Sequence, residues 1–327
     1  MSKTRIALIG CGGISRSHAA GYQRLSDRVE VAYCVDPFEK NAQERAEQLG
    51  AKPVASYEGI LGEVDGVDIC TPHHLHYQAA KDALAADCDV LVEKPMANRR
   101  EECVELVELA AARDRRLMVA YVLRYMPAMA KLKEVLEAGT YGDLIQVASS
   151  VEARVTGEHL PWAAKKDQLG GGVLFSHGCH TLDLMVWFAG RPRRVAMLGN
   201  NVNAEWMEGE GTAQVIMEFG SGALGHHTSS WALAHKNAIP SMRVWCRDGF
   251  LELRGNNLVA LRGTETETLY ESPQGDVPAM SRQIEHYIET IRTRACPLTD
   301  GATALASLDV IWAAYESRET SQFVELT

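Results

Sequence analysis

A glycine-rich turn near the start of the chain restricts the fold more than any other feature of the sequence. The apolar segment Ile6–Ile9 leads directly into residues 10–15, which read GCGGIS. Gly10 would allow a tight turn, Gly12 would let a pyrophosphate approach the backbone, and a small Ser15 would let the next helix pack closely on a sheet. The segment therefore predicts a strand, a loop and a helix that together bind a dinucleotide.

The residues that follow extend this prediction. Gly13 and Ile14 are also predicted to bind the cofactor, and they lead into a helix predicted from Ser15, whose free N–H groups would face phosphate oxygens. Asp36 follows the strand Val29–Val35 at the spacing expected of an acid that binds the adenosine ribose, and its carboxylate would repel a 2′-phosphate. Pro37 comes next instead of a basic residue, so NAD is favoured over NADP. The alternative is that Asp36 only begins an Asp-Pro turn.

Composition excludes several classes of protein. The 327 residues are long enough for two domains, and 46% hydrophobic with 23% charged residues is ordinary for a globular chain. A formal net charge of −10 argues against nucleic acid as a partner. The eight cysteines show no C-x-x-C spacing, which indicates free thiols in a reducing compartment. With no apparent signal peptide and no long apolar run, we expect a cytoplasmic protein with no membrane partner.

The order of predicted elements indicates an α/β chain with two domains. Strand and helix signals alternate as far as about residue 120, which predicts a doubly wound parallel sheet. Longer strands follow and predict a large, mostly antiparallel open sheet, interrupted by a helix at about 173–188. We place a Rossmann domain at residues 1–122 and a substrate-binding and oligomerisation domain at residues 123–327, whose last segment packs back on the first domain. The strands predicted in the second domain are 144–154, 194–201, 211–218, 223–231, 241–246, 249–254 and 257–261.

Three clusters of polar residues carry the chemistry of the chain. Residues 70–76 (CTPHHLH) follow the fourth predicted strand, and residues 93–95 (EKP) follow the fifth. Both lie at carboxyl ends of parallel strands, where open α/β sheets bind ligands. The third cluster is the segment 170–183 (GGGVLFSHGCHTLD) in the second domain.

Taken in order, these motifs resemble the glucose–fructose oxidoreductase, inositol dehydrogenase and rhizopine-catabolism (Gfo/Idh/MocA) family. The similarity extends over nearly the whole chain. It implies NAD(P) held between a Rossmann domain and a C-terminal α/β domain, and a homodimer or homotetramer built on the open sheet. The motifs that carry it are residues 10–15, Thr71-Pro72 with His76, Glu93-Lys94-Pro95, Arg124-Tyr125 with Pro127, and 170–172 with His180 and Asp183.

The resemblance also implies roles for particular residues. His180 would be the base that takes the proton of a secondary hydroxyl, Lys94 would orient that hydroxyl beside the nicotinamide, and His177 would assist. The cofactor residues would include Thr71, Pro72, His73, His76, Glu93, Lys94 and Arg124. The substrate would contact Lys94, Arg124, Trp162, Ser176, His177 and His180.

One position departs from the family pattern. The family usually has Asp four residues before the catalytic histidine, and here that residue is Ser176. Residues four apart share a helix face, so the usual Asp would support a protonated His180, whereas serine brings no charge. His177 or Asp183 could supply what Ser176 does not, although Asp183 resembles a structural position, or the proton could take a different route through the substrate or water. A metal held by His177, His180 and Asp183 is disfavoured, because the spacing is not a tight zinc signature.

The sequence therefore predicts an NAD-dependent oxidoreductase that converts a secondary hydroxyl of a sugar, sugar derivative or polyol to a ketone. The first alternative is a redox-neutral glycosidase or epimerase that regenerates NAD through a transient ketone. The second is a non-catalytic sensor of NAD or sugar.

Overall fold

The computed structural model describes residues 3–233 and 240–326. These residues form two compact units. The first unit runs as far as Val122 and also contains Val277–Leu305. The second unit contains Leu123–Asp276 and the residues from Ala306 onward. The first unit thus combines the residues before 123 with one later segment of the chain, and the predicted bounds of the two domains stay predictions.

The elements are numbered in chain order. The strands are β1 Thr4–Ile9, β2 Val29–Val35, β3 Lys52–Val54, β4 Gly66–Ile69, β5 Asp89–Val92, β6 Leu117–Val119, β7 Leu144–Glu152, β8 Pro192–Asn200, β9 Thr212–Phe219, β10 Leu224–Ser230, β11 Ser241–Cys246, β12 Gly249–Arg254, β13 Asn257–Arg262, β14 Glu265–Tyr270 and β15 Val324–Glu325. The helices are α1 Ser15–Arg24, α2 Glu39–Leu49, α3 His76–Ala85, α4 Arg100–Ala112, α5 Pro127–Glu137, α6 Lys166–Leu169, α7 Cys179–Ala189, α8 Ala279–Thr293 and α9 Gly301–Thr320.

The first unit is built on a six-stranded parallel sheet in the order β3-β2-β1-β4-β5-β6. Every residue of β4 and β5 is buried, as expected for strands covered on both faces. The predicted doubly wound parallel sheet is confirmed. Its order reverses next to β1, so the carboxyl ends of β1, β4 and β5 meet where such sheets bind ligands.

Helix α8 belongs to this first unit because its apolar side packs there. A Cβ at Gly21 of α1 would lie 2.9 Å from the side chain of Ile284, so glycine lets the two helices approach closely. The hydroxyl of Tyr287 lies 2.9 Å from the carbonyl oxygen of Val67 and 2.8 Å from that of Asp89. These contacts join α8 to strands that precede it by about 200 residues in the chain.

The second unit is built on a nine-stranded sheet in the order β14-β13-β12-β11-β7-β10-β9-β8-β15. Only β7 and β10 pair in parallel within the described residues, so the expectation of a mostly antiparallel sheet is confirmed. Side chains alternate across it, as His226 (exposed) and its neighbour His227 (buried) show. β14 was not predicted, because its exposed polar residues lack an apolar alternation and pairing with β13 defines it.

The predicted helix at about 173–188 is two structures in succession. Leu174–Gly178 is a π-helical turn and continues into α7. Such turns are rare and occur frequently at functional sites. No helix in the described parts of the chain combines the length and apolar character needed to cross a bilayer.

Candidate active site

The glycine turn of the first unit leaves space for a phosphate group. Gly10 has φ of +89°, and a Cβ there would lie 2.7 Å from the backbone of Cys70, so this position requires glycine. A Cβ added at Gly12 or Gly13 would meet no described atom within 4 Å. α1 begins next to this space without a side-chain cap, and the positive end of a helix dipole favours an anion there. The residues present therefore fit a dinucleotide.

Ser15 is fully buried at the start of α1. Its hydroxyl donates to the carbonyl oxygen of Gly12 at 2.7 Å and accepts a hydrogen bond from Arg45 at 3.2 Å. A larger residue would disturb both contacts. The serine thus holds the shape of the turn at the third position of the motif.

Asp36 lies at the end of β2 beside the same turn. One carboxylate oxygen accepts the N–H of Cys11 at 2.9 Å, and the other accepts the N–H of Phe38 at 2.8 Å. The side chain of Asn41 donates to the second oxygen at 3.4 Å. Asp36 therefore does begin a hydrogen-bonded turn, and it also ties that turn to the glycine loop. A carboxylate accepts about four hydrogen bonds, so a ribose hydroxyl can still bind here.

His76 joins the loops that follow β4 and β5. Its two ring nitrogens lie 2.7 Å from the carbonyl oxygen of Pro95 and 2.9 Å from that of Thr71. Burial lowers the pKa of His76, so the ring is neutral and donates to one of the two carbonyls. The neighbouring Pro72 leads into a short 3-10 turn in which His73 is also buried. Within the first unit, buried His76 therefore links the loop that follows β4 to the loop that follows β5, and both loops are predicted to bind the cofactor.

Glu93 and Lys94 follow β5. The Glu93 carboxylate is buried, with one oxygen 3.0 Å from Nε2 of His18 and the other accepting the backbone N–H of Lys94 at 3.2 Å. The Lys94–Pro95 peptide bond is cis. Sequence reasoning missed His18, for which the only signal is a polar residue on the side of α1 that faces the sheet.

In the second unit, the glycine run at 170–172 packs directly on two polar side chains. A Cβ at Gly171 would lie 2.5 Å from the hydroxyl of Tyr315, and one at Gly172 would lie 2.3 Å from the Glu210 carboxyl. Gly172 donates its N–H to Tyr315, and Leu174 donates its N–H to Glu210 at 3.1 Å. Buried Glu210 thus binds the first turn of the π-helix. The sequence signal for it, an acid flanked by glycines at 209–211, is weak.

His177 and His180 lie together in a cavity of about 430 Å³ in the second unit. Their ring centroids are 6.3 Å apart in an edge-to-face arrangement. The volume falls within the range of small-molecule sites. The cavity is lined by Leu123, Met126, Val151, His177, His180, Pro240, Leu253, Gly255 and Asn256.

A tryptophan determines which nitrogen of His177 carries the proton. Nε1–H of Trp231 donates to Nδ1 of His177 at 3.0 Å, so a neutral His177 carries its own hydrogen on Nε2. Trp206 stacks on Trp231 with a centroid distance of 6.2 Å. Neutral His177 can therefore donate a hydrogen bond through Nε2 but cannot accept a proton there. This leaves His180 as the histidine of the pair that can act as a base.

Arg124 forms a buried pair with Asp183. Its Nε and Nη2 atoms each donate to one carboxylate oxygen at 2.7 Å, and Ser307 donates to the same carboxylate at 2.9 Å. The guanidinium also lies 5.1 Å from the ring centroid of Trp187. These contacts hold α7 within the second unit and occupy both oxygens of Asp183. The proposed contacts of Arg124 with cofactor or substrate stay predictions.

The remaining predicted residues lie in different surroundings. Ser176 is buried in the π-helix, and His177 rather than Ser176 lines the cavity with His180. Trp162 is half-buried in the 3-10 turn Pro161–Ala164. The structure thus brings together His177 and His180 in the second unit, and the glycine turn, Asp36 and the loops of Thr71 and Lys94 at one edge of the sheet in the first.

Two family models match the chain. The NAD-binding Rossmann-fold model of the GFO/IDH/MocA oxidoreductase family matches residues 4–121, and the GFO/IDH/MocA C-terminal domain model matches residues 129–252.

Similar proteins agree with this result. The rhizopine catabolism protein MocA of Rhizobium meliloti is 26% identical over 328 residues, which cover 97% of this chain and 95% of that protein. D-glucoside 3-dehydrogenase of Escherichia coli K12 is 25% identical over 350 residues, which cover 99% and 98%. A levoglucosan dehydrogenase in complex with NADH has the same fold, with a TM-score of 0.91 at 19% identity over 100% of both chains.

Proposed function

The chain belongs to the Gfo/Idh/MocA family of oxidoreductases, as its motifs predicted, and we propose that it oxidises a secondary hydroxyl of a sugar, sugar derivative or polyol to a ketone. The observation that carries this proposal is the cavity in which His177 and His180 lie side by side. NAD, when bound to the first unit, supplies the acceptor for the hydride.

The two histidines have distinct roles in this proposal. His180 takes the proton of the reacting hydroxyl, because a neutral imidazole is a suitable base near neutral pH. His177 cannot do so while Trp231 donates to its Nδ1, and instead donates a hydrogen bond to a substrate oxygen. Lys94, in the first unit, orients the hydroxyl and stabilises negative charge on its oxygen.

The proposed substrate class rests on the cavity and on the relatives. A volume of about 430 Å³ suits a small carbohydrate, and the lining combines apolar residues with His177, His180 and Asn256. An apolar surface can cover the C–H faces of a sugar while the polar groups bind its hydroxyls. The related D-glucoside 3-dehydrogenase is named for such a substrate.

The first test is NADH formation by purified protein with a panel of sugars, polyols and glycosides. We expect one substrate class to give NADH, and we expect His180→Ala and Lys94→Ala each to lower kcat by about 10²-fold or more. Lys131→Ala is the control, because Lys131 is a partly exposed lysine of α5 that pairs with Glu134, and we expect it to keep the wild-type rate. A protein that binds NAD but forms no NADH with any of these substrates would count against the dehydrogenase.

We also propose that NAD is preferred over NADP, supported by the Asp36 carboxylate at the end of β2. We expect NADH to bind at least about 10-fold more tightly than NADPH, because a 2′-phosphate would face this carboxylate. Asp36→Asn removes the negative charge and keeps one oxygen, which can accept the N–H of either Cys11 or Phe38, so we expect the NADH-to-NADPH affinity ratio to fall. Fluorescence titration of both reduced cofactors measures it, and an unchanged ratio in Asp36→Asn would contradict the assignment.

Ser176 supports a second candidate function. Where the family usually has Asp, serine carries no charge, so proton transfer around His180 must differ from that of typical dehydrogenases. A redox-neutral glycosidase or epimerase would convert its substrate without net NADH. Product analysis by chromatography alongside the NADH assay distinguishes the two reactions.

A further inference from the structure

A chain of buried charged groups runs through the first unit beneath the loop of Lys94. Nδ1 of His18 lies 2.8 Å from one carboxylate oxygen of Asp68, and Nε2 lies 3.0 Å from Glu93. His18 and Asp68 have no exposed surface, and Glu93 is almost fully buried. Tyr22 donates its hydroxyl to the same Asp68 oxygen at 3.0 Å. Groups so deeply buried must satisfy one another, because water does not reach them.

The two carboxylates beside His18 favour its charged form. Both ring nitrogens face carboxylate oxygens, which only accept hydrogen bonds, so the ring satisfies both only when it carries two N–H groups. Burial is the largest single effect and opposes the charge, but the interactions of His18 with Asp68 and Cys70 together outweigh it and raise the pKa of His18 well above its usual range. The other titratable groups that face the network are Tyr22, Asp68, Cys70, Glu93, Lys94 and Tyr287.

The network ends at the backbone of Lys94. The Glu93 oxygen that does not face His18 accepts the N–H of Lys94 at 3.2 Å. Burial alone would raise the pKa of Glu93, yet the hydrogen bond from His18, its charge and the Lys94 ammonium together lower it. Glu93 is therefore an ionised acceptor, held on one side by His18 and binding Lys94 on the other.

A metal site is the competing interpretation, since His18, Asp68 and Cys70 offer ligand atoms within 4.8 Å of one another. Two observations argue against it. His18 and Asp68 contact each other directly at hydrogen-bond distance. The Cys70 thiol donates to the other oxygen of Asp68 at 3.7 Å, so it too has a partner within the network.

We propose that His18 is a positioning residue for Lys94, acting as an imidazolium that fixes Glu93 and through it the backbone of the lysine. The proposal rests on the proposed function only for the role of Lys94. Without His18, two carboxylates would remain buried with no counter-charge between them, so Glu93 would turn away or take up a proton. The first change releases the Lys94 N–H, and the second weakens its hydrogen bond because the acceptor loses its charge.

The test is His18→Gln, read first by amide hydrogen exchange at Lys94, which does not depend on any activity. We expect exchange at Lys94 to speed up by about 10-fold or more relative to wild type. Tyr22→Phe is the matched control, since it removes a donor from the far end of the network and leaves His18 in place. Once a substrate is identified, we expect kcat of His18→Gln to be about 10-fold or more below that of wild type, with little change in KM for NAD.

A double variant separates positioning from a general loss of stability. In His18→Gln/Glu93→Gln, one amide can donate to Asp68 and the other can accept the Lys94 N–H, so these hydrogen bonds are kept while the charges of His18 and Glu93 are removed. We expect it to recover slow exchange at Lys94 and most of kcat. Unchanged exchange in His18→Gln, or a double variant no better than the single one, would overturn the proposal.

Two further comparisons keep the result decisive. If His18→Gln does not fold, Glu93→Ala and Glu93→Gln test the contact with Lys94 directly at Glu93. We expect the Lys94 amide to exchange faster in Glu93→Ala and at the wild-type rate in Glu93→Gln. Equal exchange in both overturns the proposal. If wild type shows no turnover with any substrate, the proposed function fails, while the exchange result still decides the role of His18.

Discussion

At the scale of single residues, the neighbouring histidines His226 and His227 differ in exposure because they lie on opposite faces of β10. His227 is fully buried on the inner face of β10, with Nδ1 2.9 Å from the Ser149 hydroxyl and 3.3 Å from that of Thr181. Burial lowers the pKa of His227 to about 3, whereas His226 is exposed on the opposite face of the strand. Titration of His227 therefore affects the stability of the second unit.

The sign of this effect follows from linkage. The unfolded chain binds a proton on His227 below about pH 6.5 and the folded chain does not, so stability is lost as the pH falls from about 6.5 towards 3. At pH 5 the loss from this residue is about 2 kcal/mol. We expect His227→Gln to be less stable than wild type at neutral pH but less sensitive to acid, as measured by urea unfolding at both pH values. His226→Gln should keep the wild-type acid sensitivity, and equal sensitivity in all three proteins would contradict this assignment.

At the scale of elements, the π-helical turn depends on the glycines before it and on the acid beneath it. Glu210 accepts hydrogen bonds from Leu174 and Tyr315, and burial raises its pKa despite them. The turn and α7 present His177 and His180 to the cavity. A change at 170–172 should therefore affect both stability and the geometry of the two histidines.

Gly172→Ala tests this dependence. The added Cβ would lie 2.3 Å from the Glu210 carboxyl, so we expect a loss of about 1–3 kcal/mol and a lower kcat. Chemical unfolding and NADH formation measure the two effects. Gly62→Ala is the control, because its Cβ would meet no described atom within 4 Å, and it should leave both properties unchanged. A stable, fully active Gly172→Ala would show that the glycine is not required.

At the scale of the whole molecule, the outer face of the second sheet carries exposed apolar side chains. Leu198 of β8 is 76% exposed, Ile216 of β9 48% and Leu224 of β10 56%. Adjacent strands place them on one face, since Ile216 pairs with Ala196 and His226. We propose that this face forms the contact of a homodimer or homotetramer, because apolar surface of this kind marks interfaces.

Ile216→Lys should therefore reduce the oligomer to smaller species, because a charge buried in an apolar interface lacks a partner. Sedimentation velocity measures the assembly. Val202→Lys is the control, because Val202 is 70% exposed but lies in the connection after β8 rather than on the sheet. Identical assembly of wild type and Ile216→Lys would exclude this face as the contact.

Local patterns in the sequence determined which segments form strands and helices and where the glycine turn, Asp36, Lys94 and the His177–His180 pair stand. These features depend on burial periodicity and turn chemistry within a few residues, so they can be predicted from short segments. β14 was not predicted, because its pairing with β13 and not its own sequence pattern defines it as a strand.

Only the tertiary structure showed what surrounds those residues. His18 meets Asp68 and Glu93 across 50 and 75 residues of chain, and Tyr315 meets Glu210 across 105. Such partners are selected by the packing of whole elements, for which a single sequence carries no local signal. The same holds for α8, whose sequence predicts a helix while its contacts with α1, β4 and β5 assign it to the first unit.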